Sequence, residues 1–127
     1  MLIVHVALYT DQLNVMRDFY VKYFGADCNE LYENPATEFQ SYFLSFDDGG
    51  PLLEIMRRPH IKDRTDIPNV GYAHLAISTG STSGVDLLTE QLRRDGYTIM
   101  REPRFTGDGF YESVILDPDE NEIEITV

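Results

Sequence analysis

The sequence predicts an α+β fold of two βαβββ modules in a single domain, and three observations lead there. Two stretches with helical spacing each follow a short alternating segment. Each is followed in turn by three further strand-like runs. The second series also repeats residues of the first at a nearly constant offset. The modules are expected at residues 1–56 and 71–127, with a connector at 57–70.

In the first module, residues 2–9 ("LIVHVALY") alternate and are rich in β-branched side chains, which reads as a strand. From Asp11 to Phe24 the period becomes helical. Leu13, Met16, Tyr20, Tyr23 and Phe24 fall on one face, and Gly25 supplies a stop. Strands are expected at 26–33, 39–46 and 52–56, with the turn "DDGG" between the last two. The polar run "RRPHIKDRTDIPN", with its two prolines, reads as the connector.

The same order then restarts. "GYAHLAIS" reads as a strand, and "TSGVDLLTEQLRRDG" as a helix with Val85, Leu88 and Leu92 inward and Gly96 closing it. Strands follow at about 97–102, 110–116 and 122–127, the turn "DPDEN" preceding the last. His5 and His74 lie 69 residues apart and open the strings "HVAL" and "HLAI". "LSFDDGGPLLEI" aligns with "VILDPDENEIEI" without a gap at an offset of 70, which places Glu54 on Glu124. One inserted residue reconciles the two offsets, so the chain reads as a duplication.

Composition bounds the function. At 127 residues the chain suits one compact domain that buries about two-thirds of its unfolded surface. The formal charge of −12, from 22 acids against 10 bases, argues against a nucleic-acid or anionic-membrane partner, since both need basic surface. A single cysteine, Cys28, forms no intrachain disulfide, and without a basic neighbour it is a poor nucleophile. No signal peptide and no long apolar run is read, so a cytoplasmic location is expected.

Each module thus carries a histidine in its first strand and a glutamate in its last. Strand parity puts His5, Ala7 and Tyr9 on one face and Val4, Val6 and Leu8 on the other. Leu53 and Ile55 flank Glu54 from the opposite face, as Ile123 and Ile125 flank Glu124. The aliphatic faces belong under the helices, which leaves His and Glu together on the other side. Taken alone, a histidine in a strand is more often a hydrogen-bonded or surface residue than a ligand. Likewise a glutamate in a terminal strand usually meets solvent, and Glu122 is expected to do so or to sit at the rim. Four such residues at equivalent places in a repeat point further. Two inward carboxylates in a partly desolvated site repel each other, and a divalent cation offsets both. Two imidazoles and two carboxylates suit Ni, Zn, Co, Mn or Fe.

With these residues in view, the chain resembles the vicinal oxygen chelate superfamily, which includes glyoxalase I, fosfomycin-resistance enzymes, extradiol dioxygenases and bleomycin-resistance proteins. "VHVALYTDQLNVMRDFYVKYFGAD", "LLEIM", "GYAHLAIS" and "TGDGFYESVILDPDENEIEI" carry the resemblance. It implies that the two modules form an open, cup-shaped mixed sheet around one metal, with His5, Glu54, His74 and Glu124 as ligands. The four-ligand pattern is most like glyoxalase I. That likeness implies a divalent-metal-dependent lyase or isomerase, which shifts a proton beside a metal-bound carbonyl through an enediolate, with Glu124 or Glu54 as the base. A small-molecule substrate, a thiol co-substrate such as glutathione, and a homodimer are implied as well. Whether the cup forms within one chain or between two stays open. Tyr9 stands where glutathione-type members commonly carry arginine, and a phenol lacks a guanidinium's paired contact with a carboxylate. The alternatives are a non-enzymatic binding protein of the bleomycin-resistance type and a fosfomycin-type opening of an epoxide. Tyr9, Arg101, Arg104, Phe110 and Tyr111 are candidate substrate contacts. Arg57 and Arg58 are further candidates for an anionic tail, against the plainer reading of solvated charges.

Overall fold

The computed structural model describes residues 1–46, 49–61 and 70–127. Two compact units emerge, Met1–Asn69 and Val70–Val127. Each pairs one helix with one mixed sheet, in keeping with the α+β class.

The first unit runs β1 (His5–Tyr9), α1 (Leu13–Phe24), β2 (Asp27–Cys28), β3 (Tyr32–Asn34), β4 (Phe39–Ser45) and β5 (Leu52–Arg57). Its strands lie in the order β1-β5-β4-β2, with β3 also against β4. β1 and β5 are parallel, while β4 and β5 are antiparallel. The parallel pair needs a long crossover, and α1 supplies part of it. The apolar stripe of α1 explains where that helix lies: Met16, Phe19 and Tyr20 are buried, as are Leu44, Leu53 and Ile55 on the facing strands. Each such side chain contributes about 1.5–3 kcal/mol when fully buried. Gly25 ends α1 in the left-handed region at φ 64°, where a side chain is strained and glycine is not.

Three expectations are refined here. Regular pairing begins at His5 rather than at residue 2, although the Val4 carbonyl still accepts from the Leu52 N–H at 3.0 Å. The single strand expected at 26–33 is broken into β2 and β3. Asn29 explains the break, because its side-chain oxygen accepts from the Phe43 N–H at 2.7 Å and so replaces a backbone acceptor. Phe19, not Phe24, joins the fully buried stripe of α1. Asp47 and Asp48 of the "DDGG" turn, and residues 62–69 of the connector, lie outside the described residues.

The second unit runs β6 (His74–Ser78), α2 (Thr82–Arg94), β7 (Ile99–Phe105), β8 (Tyr111–Leu116) and β9 (Glu122–Thr126), with sheet order β6-β9-β8-β7. β6 and β9 are parallel, as β1 and β5 are in the first unit. Ser81 caps α2 by accepting the Gly84 N–H at 3.1 Å. Gly84 itself is required by close approach, since a Cβ there would meet the Thr79 side chain at 2.7 Å. Val85, Thr89 and Leu92 turn inward, so a threonine takes the place expected of Leu88. Its hydroxyl donates to the Val85 carbonyl at 2.6 Å and lies 2.7 Å from the buried Ser113 hydroxyl. β7 runs on to Phe105, past the expected end at 102, and does so through irregular register on both sides of Arg101. Among the described residues no helix is long and apolar enough to cross a membrane.

Candidate metal centre

The register of each sheet determines which side chains share a face. In the first unit Ala7 pairs with Glu54, and Glu54 with Phe43, so His5, Glu54 and Phe43 lie on the side away from α1. His5 Nε2 is 3.7 Å from Glu54 Oε2. The imidazole also meets the Phe43 ring edge-on, with centroids 5.7 Å apart. Burial follows the same parity, for Leu53 and Ile55 are buried while Glu54 keeps partial access.

The second unit repeats the arrangement. Ala76 pairs with Glu124 and Glu124 with Val114, which puts His74 and Glu124 on the face away from α2. His74 Nε2 is 3.2 Å from Glu124 Oε2. Side-chain exposure is 45% and 13% for His5 and Glu54, and 40% and 17% for His74 and Glu124. In both pairs the carboxylate is recessed and the imidazole is open to a ligand. Glu122 is partly buried beside His74.

The chemistry of these donors fits a first-row divalent ion, because an imidazole nitrogen and a carboxylate oxygen already face each other in each unit. Among the described residues no group of three or more His, Cys, Asp or Glu side chains is gathered at one point. What the geometry defines is therefore a repeated two-donor half-site, once per unit.

The remaining candidates divide by face. Tyr9 pairs with Met56 and has the parity of His5, so it belongs to the His5–Glu54 face. Arg101 lies opposite Val114 and Arg104 opposite Glu112, which places both in register with the Glu124 face. Tyr111 does not share that face. Its hydroxyl donates to Asp86 of α2 at 2.7 Å, and this hydrogen bond, then burial, pushes the phenol above its ordinary value. In β8 it has the parity of Ser113 and Ile115, the helix side. Phe110, 57% exposed, stands in the loop before β8, its N–H donating to Thr106. Arg57 lies on the helix side of β5 and donates to Gln40, whereas Arg58 stacks over the Phe39 ring at 5.1 Å. Two clefts of about 240 and 260 Å³ share Gln40 and Arg57 and include neither His5 nor Glu54. Burial pushes the Cys28 thiol up, which suits the inert role expected for it.

Two residues of these faces escaped sequence reasoning. Phe43 falls at outward parity between Tyr42 and Leu44, and an aromatic side chain at such a position was the available signal. Glu112, only 9% exposed, has the parity of Val114 and lies 3.6 Å from Arg104.

Comparison with known proteins agrees with this layout. Residues 2–125 match the Glyoxalase/Bleomycin resistance protein/Dioxygenase superfamily, and the chain belongs to that family. Glyoxalase I from Zea mays superposes with a TM-score of 0.80 at 22% identity, over 98% of this chain and 44% of the maize chain. The chain thus spans less than half of that relative. The Leishmania major glyoxalase I gives a TM-score of 0.80 at 20% identity, covering 99% of this chain and 86% of its own. A glyoxalase family protein from Enterococcus faecalis gives 0.78 at 23%, covering 98% and 96%. No curated protein matches the sequence. Members of the superfamily bind small molecules and commonly use a divalent metal.

Proposed function

We propose that this chain is a glyoxalase-I-like, divalent-metal-dependent lyase or isomerase that moves a proton beside a carbonyl of a small hydroxy-carbonyl compound. One observation carries the proposal: the same imidazole–carboxylate pairing recurs in both units, at 3.7 and 3.2 Å. In this reading His5, Glu54, His74 and Glu124 hold one ion of the Ni, Zn, Co, Mn or Fe group, in a cytoplasmic homodimer. A divalent ion held there supplies polarisation of the substrate carbonyl and neutralises two carboxylates. The chain's own work is done by the glutamates. Glu124, or Glu54 in the equivalent position, accepts the proton on its recessed carboxylate and returns it to the neighbouring carbon. His5 and His74 orient the site. Phe43, edge-on to His5, restricts how that ring can turn.

The test is elemental analysis of protein purified without chelator, joined to zinc titration. About one first-row ion is expected for each set of four side chains. Glu54→Gln is expected to weaken zinc binding at least tenfold. Unchanged affinity in that variant would favour a three-ligand, epoxide-opening type, and absence of any metal binding would leave a non-enzymatic binding module.

A further inference from the structure

The helix side of the first sheet carries a polar row that the proton-transfer reading does not use. Glu33 of β3 pairs with Gln40 of β4, and Gln40 pairs with Arg57 of β5, so the three stand abreast across neighbouring strands. Gln40 has the parity of the buried Tyr42 and Leu44, and Arg57 that of Leu53 and Ile55. Glu54, three residues before Arg57, has the other parity. The row therefore stands on the opposite face of β5 from the His5–Glu54 pair.

In this row an amide holds an acid and a base apart. The Gln40 side-chain nitrogen donates to Glu33, and its oxygen accepts from Arg57 Nη1 at 3.2 Å. Glu33 and Arg57, two strand spacings or about 9.5 Å apart along the row, are thus joined through the amide instead of to each other. Among the described residues Arg57 forms no ion pair. One of the five N–H donors of its guanidinium goes to Gln40, and the side chain lines both clefts of this unit. The clefts differ in chemistry. The one of about 240 Å³ is walled in part by Leu13, Val15 and Leu31, and Val15 and Leu31 are 49% and 43% exposed. The one of about 260 Å³ is polar and holds Glu33 and Glu38. Drug-sized ligands usually take about 300–1,000 Å³, so either cleft suits something smaller.

We propose that this row and the apolar-walled cleft bind a free aliphatic α-amino acid. Its carboxylate lies on Arg57, its ammonium on Glu33, and its side chain against Leu13, Val15 and Leu31. Such a ligand carries an acceptor and a donor on one carbon, in the order in which the Gln40 amide presents them, with a full charge on each. A guanidinium fork meets a carboxylate with two parallel charge-assisted hydrogen bonds, which adds geometric specificity. Covering Val15 and Leu31 removes apolar surface from water. Asp11, on the rim of the same cleft, repels an acidic side chain. The site does not depend on a metal at the His–Glu pairs.

The test is calorimetric titration of the whole protein, with and without a chelator. The probes are L-leucine, 4-methylpentanoate, which lacks the ammonium, 3-methylbutylamine, which lacks the carboxylate, and L-aspartate. L-Leucine is expected to bind at least tenfold more tightly than the other three, equally with and without chelator. Arg57→Gln and Glu33→Gln should each weaken it at least tenfold with unchanged circular dichroism, since both side chains are exposed. In the wild type, L-leucine should shift the NMR methyl signals of Leu13, Val15 and Leu31. A merely structural row predicts lower melting temperatures for both variants with leucine affinity unchanged, which overturns the proposal. Equal binding of L-leucine and 4-methylpentanoate overturns it, as do shifts confined to the His5 and His74 rings. Leucine binding that vanishes with the chelator places the ligand at a metal instead and also overturns it. So does failure of L-leucine to bind at millimolar concentration.

Discussion

At the residue scale, the two candidate carboxylates differ in what surrounds them. Glu54 and Glu124 have equivalent places in the repeat but different neighbours, Phe43 in one unit and Val114 in the other. His74→Ala is expected to lower zinc affinity at least tenfold, measured by competition with a chromogenic chelator, while leaving the far-ultraviolet circular dichroism spectrum intact. The fold should survive because the His74 side chain, 40% exposed, lies outside the buried core. Tyr111 shows the other kind of residue, structural and pH-sensitive. Its pKa is raised in the folded state, so the Asp86 hydrogen bond stabilises below the unfolded value near 10 and is lost as pH rises through the folded one. Tyr111→Phe should therefore lower the melting temperature at pH 7, and the gap from wild type should shrink at alkaline pH.

At the element scale, two local features can be tested. Glu120 adopts φ 64° in the turn between β8 and β9, where glycine carries no penalty. Glu120→Gly is expected to stabilise the protein by about 1 kcal/mol in urea unfolding. Beneath α2, Thr89 and Ser113 satisfy one another in a buried position. Thr89→Val alone should cost about 1–3 kcal/mol by orphaning the Ser113 hydroxyl, Ser113→Ala less because the Thr89 hydroxyl still donates to Val85, and the double change less than the sum. The elements also show how far the sequence could be read. Helix faces and the His–Glu parity were legible because they depend on periods of 3.6 and 2 that packing respects. The face of Arg101 and Arg104 was not, because the register shifts of β7 reset parity midway. The burial of Glu112 was hidden for the same reason, since its partner arginine is defined only by that irregular register. The break at Asn29 depends on a side chain reaching a distant strand, which no local pattern records.

At the scale of the whole molecule, a chain with formal charge −12 carries the same His–Glu pair in both halves. A bound ion should raise stability by mass action, by about 2.7 kcal/mol at free zinc a hundredfold above the dissociation constant. Thermal melts should show an upward shift that a chelator reverses. If one ion uses both halves, Glu54→Gln and Glu124→Gln each remove most of that shift; two independent half-sites would lose it only in part.

Pro103, in the outermost strand of the second unit, has a consequence for how separate chains meet. A strand border that lacks a regular row of amide donors is a poor template for another chain laid alongside it. The kinked, charged segment from Met100 to Arg104 thus discourages this border from seeding fibrils. The same distortion that sets Arg101 and Arg104 in register with the Glu124 face helps keep an acidic protein dispersed at high concentration.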